Sequence, residues 1–415
     1  MKTTSDLNTE PSLQALLDHR YRQALIEPDS IHPYPGIQPS TNAYCKMIWD
    51  WDSFFFALGH LHEPGLPKYL KGVVDSFLFY QRENGFTNFM YHIDQPVDLS
   101  GDCSQNNPAK PILAQMALLA YEIDPDIAWL RTIFPQLDQF HLYWETYLQA
   151  EEGLFYMRHH RGCGADNHPA LYGRPRNSVI TVELNSFAYG DYAAMAKIAE
   201  MIGQESQPYA AKRDALKERI NTHLWDPEDE FYYNLDRGSN LSHIFGPVRQ
   251  NPNWLTFLKV KHAMSFMPLV YGVASTEMAK AVIEKHLMNE ERFLSQAGIR
   301  SLSRKEPLYH PCDINEYIGD QKEHGNPSNW QGPVWTVVNY IAWTALRRYH
   351  YEQEACEIVS RAEATLAGCL EQHGCLYEYF HPETTAGQGV RDFISFNALI
   401  SPMLANHPHL LRLIP

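Results

Sequence analysis

The chain has 415 residues, 44% of them hydrophobic and 20% charged, with a formal net charge of −15 at pH 7. A chain of this size and composition buries a core without disulfide bonds, and its acidity argues against nucleic acid and anionic membranes as partners. The polar first ten residues lack the apolar stretch of a secretory signal, and no segment has the roughly 18–20 apolar residues of a membrane span.

The cysteines and the lack of cofactor motifs indicate the cellular compartment and exclude several classes of enzyme. The seven cysteines are scattered, and no pair has the C-x-x-C spacing of a zinc or redox site. We therefore expect free thiols in a reducing compartment, which for this chain means the cytoplasm. The sequence has no P-loop, dinucleotide-binding fingerprint or H-E-x-x-H zinc motif. We expect no cofactor and no metal, and the sequence leaves homo-oligomerisation open.

Helical periodicity dominates the chain, and Val and Ile runs of period two are scarce. Roughly twelve helices, each taking about 30–35 residues with its loop, would fill the length and suit a closed ring of paired helices. No Pro- or Ser-rich linker divides the chain, so we predict one all-α domain over residues 1–415, with residues 1–30 as an N-terminal helical extension. The clearest amphipathic stretches are 111–123, 127–148, 182–201, 209–224, 277–288, 334–349 and 352–371.

A short pattern recurs between the predicted helices: an acidic or glycine-containing turn followed by aromatic residues. It occurs at residues 83–91, 152–156, 229–233 and 373–377. We interpret each copy as a short extended loop or β-hairpin at the same end of successive helix pairs, the face where a toroid would carry its site. Coincidence is the alternative, because acidic–glycine–aromatic strings are common.

Aromatic residues make up 13% of the chain, with 24 Tyr, 19 Phe and 9 Trp. The polar tips of Tyr and Trp need partners, so a core has limited use for so many of them. Rings that stack on sugars while their polar atoms bond to hydroxyls would explain the excess. An aromatic-rich helical core would explain it as well.

Two segments place carboxylates beside aromatic or glycine-rich sequence. At residues 49–55 two tryptophans alternate with two aspartates, so Trp49 and Trp51 could stack on a pyranose while Asp52 accepts hydrogen bonds from its hydroxyls. The alternative is an ordinary capped helix start. Asp166 follows two glycines in a bent loop, where partial burial would raise its pKa and suit it to be a general acid. The alternative is an Asx-turn aspartate.

Two later segments carry similar signals. Residues 326–335 combine two prolines and a glycine with Trp330 and Gln331, which offer a sugar platform and a hydroxyl partner; a helix-entry loop is the alternative. In the last copy of the recurring pattern, strand alternation puts Glu378 on the opposite side from Tyr377 and Tyr379. Glu378 could activate water if that side faces a cavity, and is otherwise an edge glutamate.

Taken in order, these segments resemble glycoside hydrolase family 63, and within it the short branch that includes mannosylglycerate and glucosylglycerate hydrolases. The resemblance spans residues 47–399 and rests on the strings at 51–55, 162–169, 182–189, 330–335 and 378–384. It implies an (α/α)6 toroid, or six-hairpin barrel, and an inverting glycoside hydrolase that cleaves a small α-linked glucoside or mannoside of the glucosylglycerate or mannosylglycerate type. At the matching positions Asp166 is the general acid and Glu378 the general base.

The resemblance also implies a small-molecule sugar partner and the residues that bind it. A glycerate-linked substrate would need a cation for its carboxylate, for which we expect Arg174 and Arg176, with Arg161 and Lys110 in reserve. Ordinary surface arginines are the alternative. Gln105 matches the family element only roughly, because this chain carries extra residues before Lys110. The predicted substrate-binding residues are Trp49, Trp51, Asp52, Phe55, Gln105, Arg174, Arg176, Trp330, Gln331 and Tyr377.

Three other functions remain open from the sequence. An α-glucosidase or trehalase acting on a neutral disaccharide would not need Arg174 and Arg176 for turnover. A sugar epimerase on a similar toroid would place a pair of histidines in the cavity where a hydrolase has Asp166 and Glu378. A non-catalytic carbohydrate-binding protein would keep the tryptophans without needing either acid.

Overall fold

The structure, a computed structural model, describes residues 12–42, 44–104, 106–237, 255–312 and 328–414. Helices account for most of its regular structure, and the strands between them are short. In chain order the α-helices are α1 (Leu13–Ala24), α2 (Asp50–Gly59), α3 (Leu66–Phe79), α4 (Leu113–Ile123), α5 (Ile127–Tyr147), α6 (Val182–Ile202), α7 (Gln207–His223), α8 (Met267–Val270), α9 (Thr276–Val282), α10 (Thr336–Arg348), α11 (Glu352–His373), α12 (Ile400–Leu404) and α13 (His409–Leu413).

The strands pair antiparallel. They are β1 (Leu25–Ile26), β2 (Gly36–Ile37), β3 (Met47–Trp49), β4 (Met90–His92), β5 (Tyr156–Met157), β6 (Val179–Ile180), β7 (Trp225–Asp226), β8 (Phe231–Tyr232), β9 (Asn234–Asp236), β10 (Thr256–Leu258), β11 (Leu294–Ser295), β12 (Gly298–Ile299), β13 (Tyr377–Phe380) and β14 (Gly387–Arg391). Within the described ranges they form five two-stranded sheets and one four-stranded sheet of order β10-β9-β6-β5.

Helix α6 is buried along almost its whole length and packs against α4, α5, α7 and α8. Its first turn is capped by Thr181, whose hydroxyl oxygen accepts the Leu184 N–H. A helix covered on all sides must satisfy its polar groups internally. Asn185 does so by accepting the Phe155 N–H at 2.8 Å, which ties the segment leading into β5 to this helix.

The predicted helical character is confirmed. Each of the seven stretches singled out from periodicity contains a helix, namely α4, α5, α6, α7, α9, α10 and α11, with α9 continuing into a π-helical turn at Ile283–Leu287. In the predicted extension, α1 ends at Ala24 and is followed by β1, so residues 1–30 are not helical throughout. Residues 1–11 of that extension lie outside the described ranges.

Each copy of the recurring turn-and-aromatic pattern contains or leads into a short strand. The copies at 229–233 and 373–377 give local hairpins, β7–β8 and β13–β14. The other two do not, because β4 pairs with β3 and β5 pairs with β6, both distant in sequence. The prediction of a short extended loop or a β-hairpin at each copy is therefore met by a hairpin in two copies and by an extended segment with a distant partner in the other two.

One continuous cluster of buried side chains runs from Leu17 in α1 to Ile414 at the end of the described chain. Many of its largest members are aromatic, including Trp144, Trp335 and Trp343, so part of the aromatic excess serves the core. In the part of the chain that the structure describes, no helix combines the length and apolarity needed to cross a membrane.

Candidate active site

A pocket brings together segments from the whole length of the chain. Its lining is rich in aromatic rings and contains three carboxyl groups and two cations. The lining residues are Pro39, Tyr44, Trp49, Trp51, Asp52, Phe89, Lys110, Arg161, Gly164, Asp166, Ser328, Trp330, Trp335, Glu378, Phe393 and Phe396.

Asp166 reaches the pocket on a loop that follows a short 3-10 helix, His160–Cys163. Gly164 ends that helix with a φ of 85°, in the left-handed region. A Cβ atom at this position would lie 2.5 Å from the indole of Trp51, so the backbone passes against that ring only because the residue is glycine. Of the two glycines seen in the sequence, Gly164 thus sets the approach of the Asp166 loop to the aromatic wall.

Glu378 lies on β13 with its side chain buried, 2% exposed. One carboxylate oxygen accepts the Ser328 hydroxyl at 2.7 Å, and the other accepts the Val390 N–H from β14 at 3.1 Å. Burial raises the pKa of Glu378 to about 8, the two donors act to lower it, and the nearby carboxyls of Asp166 and Asp52 raise it further. The ionisation of Glu378 therefore depends on the charges of the other carboxyls in the pocket.

Asp52, in the first turn of α2, is the third carboxyl of the pocket. Removal from bulk water raises its pKa to about 7, partly offset by the Lys110 cation. Asp50, two residues earlier, is fully buried. Its carboxylate accepts the Lys110 ammonium at 3.0 Å and the Lys110 backbone N–H at 2.7 Å.

Tryptophan rings form one wall of the pocket. The rings of Trp330 and Trp335 stack with centroids 4.0 Å apart, and the Trp51 ring lies 5.7 Å from that of Trp330. His262 fixes this wall from behind: its Nδ1 accepts the Met264 N–H, which leaves Nε2–H to donate to the Trp330 carbonyl at 3.1 Å. The wall is therefore held through its backbone as well as by ring contacts.

Asn167, directly after the predicted acid, connects the two loops that meet at the pocket. Its side-chain oxygen accepts the Trp330 N–H at 2.6 Å, and its amide donates to the Asn329 side chain at 3.1 Å. The backbone carbonyl of Asn167 accepts the Gln331 side-chain amide at 2.9 Å. The loop that carries Asp166 and the loop that carries Trp330 are thus one hydrogen-bonded unit.

The structure brings six of the predicted site residues together and places others behind the pocket. The six that line it are Trp49, Trp51, Asp52, Asp166, Trp330 and Glu378. Phe55 lies one helical turn beyond Trp51, with its ring buried against Trp51 and Phe396. A spacing of four residues puts it on the same face of α2, but Trp51 separates it from the cavity.

Gln331 and Tyr377 also lie away from the cavity. The Gln331 side chain is buried and turned to the Asn167 carbonyl, so it supports the loop behind the wall. Tyr377 lies on the strand next to Glu378, and its ring faces the Arg391 guanidinium at 5.7 Å; strand alternation sends it to the opposite side. Gln105 lies outside the described residues.

The two arginines expected to meet a substrate carboxylate do not line the pocket. Arg174 pairs with Asp236 of β9 at 3.1 Å, because the chain after Asp166 turns outward to join the four-stranded sheet. Arg176 lies in the same outward segment and is exposed. The cations that do line the pocket are the two held in reserve, Arg161 and Lys110.

Several lining residues were not predicted from the sequence, namely Pro39, Tyr44, Phe89, Gly164, Ser328, Trp335, Phe393 and Phe396. Ser328 and Trp335 lie in the segment 326–335, which was selected from the sequence because of Trp330 and Gln331. The sequence could therefore have indicated both residues as candidates for the site. Tyr44 has a φ of 61°, a backbone state uncommon outside glycine and frequent at functional sites, which only the structure reveals.

Histidines do not take the place of the carboxyls. No histidine of the described chain lines the pocket. His168 and His262 stack with ring centroids 3.8 Å apart just behind it, and burial lowers the pKa of both, that of His262 to about 3. Both rings are therefore neutral near pH 7, which disfavours the epimerase alternative.

One group of described residues has the composition of a metal site. The ligand atoms of Asp18, His62 and Glu63 lie within 4.8 Å of one another on the protein surface. Exposed groups of this kind are common without an ion, and none of the three lines the pocket. The pocket itself holds carboxyls and aromatic rings, the residue types that bind and protonate sugars.

Curated proteins of similar sequence include two glycoside hydrolases. A mannosylglycerate hydrolase from Rubrobacter radiotolerans is 29% identical over 206 residues, which cover 50% of this chain and 39% of that protein. A probable mannosyl-oligosaccharide glucosidase from Schizosaccharomyces pombe is 21% identical over 296 residues, or 67% of this chain and 32% of that protein. This chain thus spans less than half the length of these curated relatives.

Solved structures share the fold at low sequence identity. A family 63 mannosylglycerate hydrolase from Thermus thermophilus, in complex with glucose, has a TM-score of 0.69 at 19% identity and covers 94% of this chain and 98% of its own. A neutral trehalase from Saccharomyces cerevisiae has a TM-score of 0.60 at 17% identity, over 94% of this chain and 79% of its own.

The resemblance seen in the sequence is confirmed by a family model that matches residues 45–394, most of the chain. The protein therefore belongs to the mannosylglycerate hydrolase MGH1-like glycoside hydrolase domain family.

Proposed function

We propose that this chain is an inverting glycoside hydrolase that cleaves a small α-linked mannoside or glucoside, on a single (α/α)6 domain. The observation that carries the proposal is the meeting of Asp166 and Glu378 in one aromatic pocket, although they lie far apart in sequence and on unrelated elements. Two carboxyls that flank a sugar site supply the acid and the base that glycosidic hydrolysis needs. The helical architecture and its trehalase-like neighbours support the toroid.

The proposed reaction uses the two carboxyls in opposite roles. Asp166, in its protonated form, donates a proton to the glycosidic oxygen as the bond to the anomeric carbon breaks. Glu378, ionised, accepts a proton from the water that attacks the anomeric carbon from the other face. An inverting pair is separated by about 6.5–9.5 Å, which leaves room for that water. The Trp51 and Trp330 rings would stack on the sugar and exclude bulk solvent.

Ionisation of Glu378 sets a condition on this role. Burial raises the pKa of Glu378 to about 8. The ionised form that a base needs therefore becomes dominant only at a higher pH than for an ordinary carboxylate. The Ser328 hydroxyl and the Val390 N–H both donate to the carboxylate and favour the ionised state. The acidic limb of the activity profile therefore belongs to Glu378 in this mechanism.

The leaving group is proposed from the relatives. The Rubrobacter and Thermus proteins are mannosylglycerate hydrolases, which makes mannosylglycerate and its glucosyl counterpart the first substrates to test. A relative among the oligosaccharide glucosidases keeps neutral α-glucosides as the alternative.

The first test follows the anomeric proton by NMR while the enzyme digests mannosylglycerate, glucosylglycerate and trehalose in parallel. Early appearance of the β-anomer from an α-linked substrate is the expected result of inversion. Early appearance of the α-anomer would show retention and remove the proposed mechanism. Cleavage of trehalose alone would select the neutral α-glucoside alternative.

Two substitutions separate the roles of the carboxyls. Asp166→Asn is expected to lower kcat by at least about 10³-fold on a glycerate glycoside, yet to retain much more activity on an α-glycosyl fluoride, whose leaving group needs little protonation. Glu378→Gln is expected to lose activity on both substrates, because both reactions need activated water. Glu371→Gln, on the exposed face of α11, is the matched control. Equal losses of Asp166→Asn on both substrates would contradict the assigned acid role.

A further inference from the structure

A second group of metal-binding residue types lies at the other end of helix α2 from the pocket. Asp52, in the first turn of α2, lines the pocket, whereas His62 and Glu63 lie in the turn between α2 and α3. The ten residues of α2 separate the two ends by about 15 Å. Asp18 of α1 and His62 line a surface cleft that shares no described residue with the lining of the pocket. The group is therefore separate from the candidate active site.

The two carboxylates of this group share a single imidazole. The Nε2 atom of His62 lies 3.7 Å from Oδ1 of Asp18 and 3.9 Å from Oε1 of Glu63. Within the described ranges neither carboxylate forms an ion pair with a lysine or an arginine. The Asp18 oxygen also accepts the Gln14 side-chain amide at 2.6 Å, which orients the carboxylate but adds no charge. A dication between the three side chains would therefore neutralise negative charge that the surrounding residues leave unbalanced.

The distances within the group suit a shared ion better than direct hydrogen bonds. Both exceed the roughly 2.7–3.2 Å of an N–H···O bond. Ligand atoms about 2.0–2.1 Å from a tetrahedral zinc ion lie about 3.3 Å from one another. One ligand atom from each of Asp18, His62 and Glu63 lies within 4.8 Å of the other two, so small side-chain rotations would complete this geometry. An imidazole among the ligands favours zinc or a related transition metal over Mg²⁺ and Ca²⁺, which prefer oxygen ligands.

Two buried polar side chains beside the group lack hydrogen-bond partners among the described residues. They are the Tyr21 hydroxyl and the imidazole of His60, neither of whose ring nitrogens has a partner. Tyr21 lies one helical turn after Asp18 and is 4% exposed; burial raises its pKa, and the nearby charge of Glu63 raises it further. His60 is fully buried, with its ring centroid 6.0 Å from that of His62. Because buried polar groups are normally paired, these two are available to hydrogen-bond a metal-bound water.

We propose that Asp18, His62 and Glu63 bind a divalent transition-metal ion of the zinc type, and that the ion holds α1 against the turn between α2 and α3. The ligands come from two segments that only the folded chain brings together, so binding stabilises the fold. The sequence by itself predicts no metal, because Asp18 lies far along the chain from the other two ligands. The proposal is independent of the hydrolase function proposed above.

The test is calorimetric titration of Zn²⁺ into the whole chain, after treatment with EDTA and removal of the chelator. The tightest site is expected to take one equivalent, and the midpoint of thermal unfolding is expected to rise with Zn²⁺ concentration, because the ion binds the folded state. His62→Gln and Asp18→Asn should each weaken binding by at least about tenfold, since even residues that only support metal ligands contribute that much. His373→Gln, at an exposed histidine that ends α11, is the control and should bind like the wild type.

An absence of saturable Zn²⁺ binding to the wild type, or equal affinity in His62→Gln, would overturn the site. Binding of Ca²⁺ as tight as that of Zn²⁺ would contradict the imidazole ligand. Amide hydrogen exchange tests the second half of the proposal: Zn²⁺ should slow exchange in Leu13–Ala24 of the wild type but not of His62→Gln. Unchanged exchange in α1 while the ion is bound would show that the ion does not hold this helix.

Discussion

At the scale of single residues, Ser328 stabilises the ionised form of Glu378 through one hydrogen bond of 2.7 Å, which opposes the effect of burial. Its hydroxyl also lies 3.3 Å from the Tyr44 hydroxyl, so the carboxylate is the inner end of a short hydrogen-bonded chain that begins at the pocket wall. A hydroxyl that donates to a carboxylate stabilises the charged form and lowers its pKa. Ser328 is thus a positioning residue, whose effect is felt through Glu378.

Ser328→Ala is expected to raise the pKa of Glu378, because it removes a donor to the ionised form. The acidic limb of the kcat/KM profile should move to higher pH by about 0.5–1 unit, the equivalent of one ordinary hydrogen bond. A pH–rate profile measures the shift, and Ser328→Thr, which keeps the hydroxyl, is the control. An unchanged limb in Ser328→Ala would mean that another group titrates there.

At the scale of elements, the turns of the recurring pattern differ in how closely the rest of the protein packs on them. Gly85 has a φ of 89°, and a Cβ there would overlap the backbone oxygen of Gln139 in α5. Gly374, at the end of α11, has a φ of 64° with nothing within 4 Å of a Cβ. The two glycines share a backbone state and differ in their surroundings.

Gly85→Ala and Gly374→Ala therefore form a matched pair. Both substitutions incur the cost of a left-handed alanine, about 1 kcal/mol. Gly85→Ala must also push α5 away from the turn, so its loss in the free energy of unfolding should exceed that of Gly374→Ala by about 1–3 kcal/mol. Urea unfolding of both variants measures the difference. Equal losses would show that the contact with Gln139 relaxes freely.

Periodicity found helices with one exposed face and also some that are buried along most of their length. Helices α5, α7 and α11 alternate buried and exposed positions, which is the pattern that predicts a helix. Helix α6 is buried at most of its positions, but its 21 residues are long enough for the helical spacing to show. Helix α2 has only ten residues and is buried at nearly all of them, so its sequence shows no polar face and was considered for its tryptophans and aspartates instead.

At the scale of the whole molecule, several histidines in the described ranges are buried, and burial lowers their pKa. Burial is the main cause that lowers the pKa of His60 and His262 to about 3 and that of His286 to about 4, and it also lowers that of His168. In the unfolded chain these groups titrate near pH ~6.5, so below that pH the unfolded state binds more protons. Their contribution to stability is complete above about pH 6.5 and is lost as the pH falls toward the folded values.

The free energy of unfolding is therefore expected to fall below about pH 6.5, by up to about 1.4 kcal/mol per pH unit for each buried histidine. His60 is the best single test, because both of its ring nitrogens lack hydrogen-bond partners and it packs on Phe56 and Tyr21. His60→Phe should stabilise the protein at pH 7 and reduce the slope between about pH 6.5 and 4, as measured by urea unfolding. His373→Gln, at an exposed position near the end of α11, is the control. An unchanged slope in His60→Phe would show that His60 takes up its proton in the folded state.

The amino-acid sequence was enough to predict the helical class, the family and the residue types of the candidate site. Each of these depends on local order: helical spacing, glycines before Asp166, and aromatic residues beside Asp52 and Glu378. The roles of Asp166 and Glu378 stay predictions, but their meeting in one pocket follows from the structure.

Only the three-dimensional structure shows which cations line the cavity. It alone also shows which groups donate hydrogen bonds to Glu378. Arg161 and Arg174 are both arginines near the same aspartate, and the sequence led us to expect Arg174 at the substrate and to keep Arg161 in reserve. The path of the chain reverses that order, because it turns Arg174 toward Asp236 in the sheet and leaves Arg161 at the pocket. Residue type sets what a side chain can do, whereas its direction depends on packing against elements that are distant in the sequence.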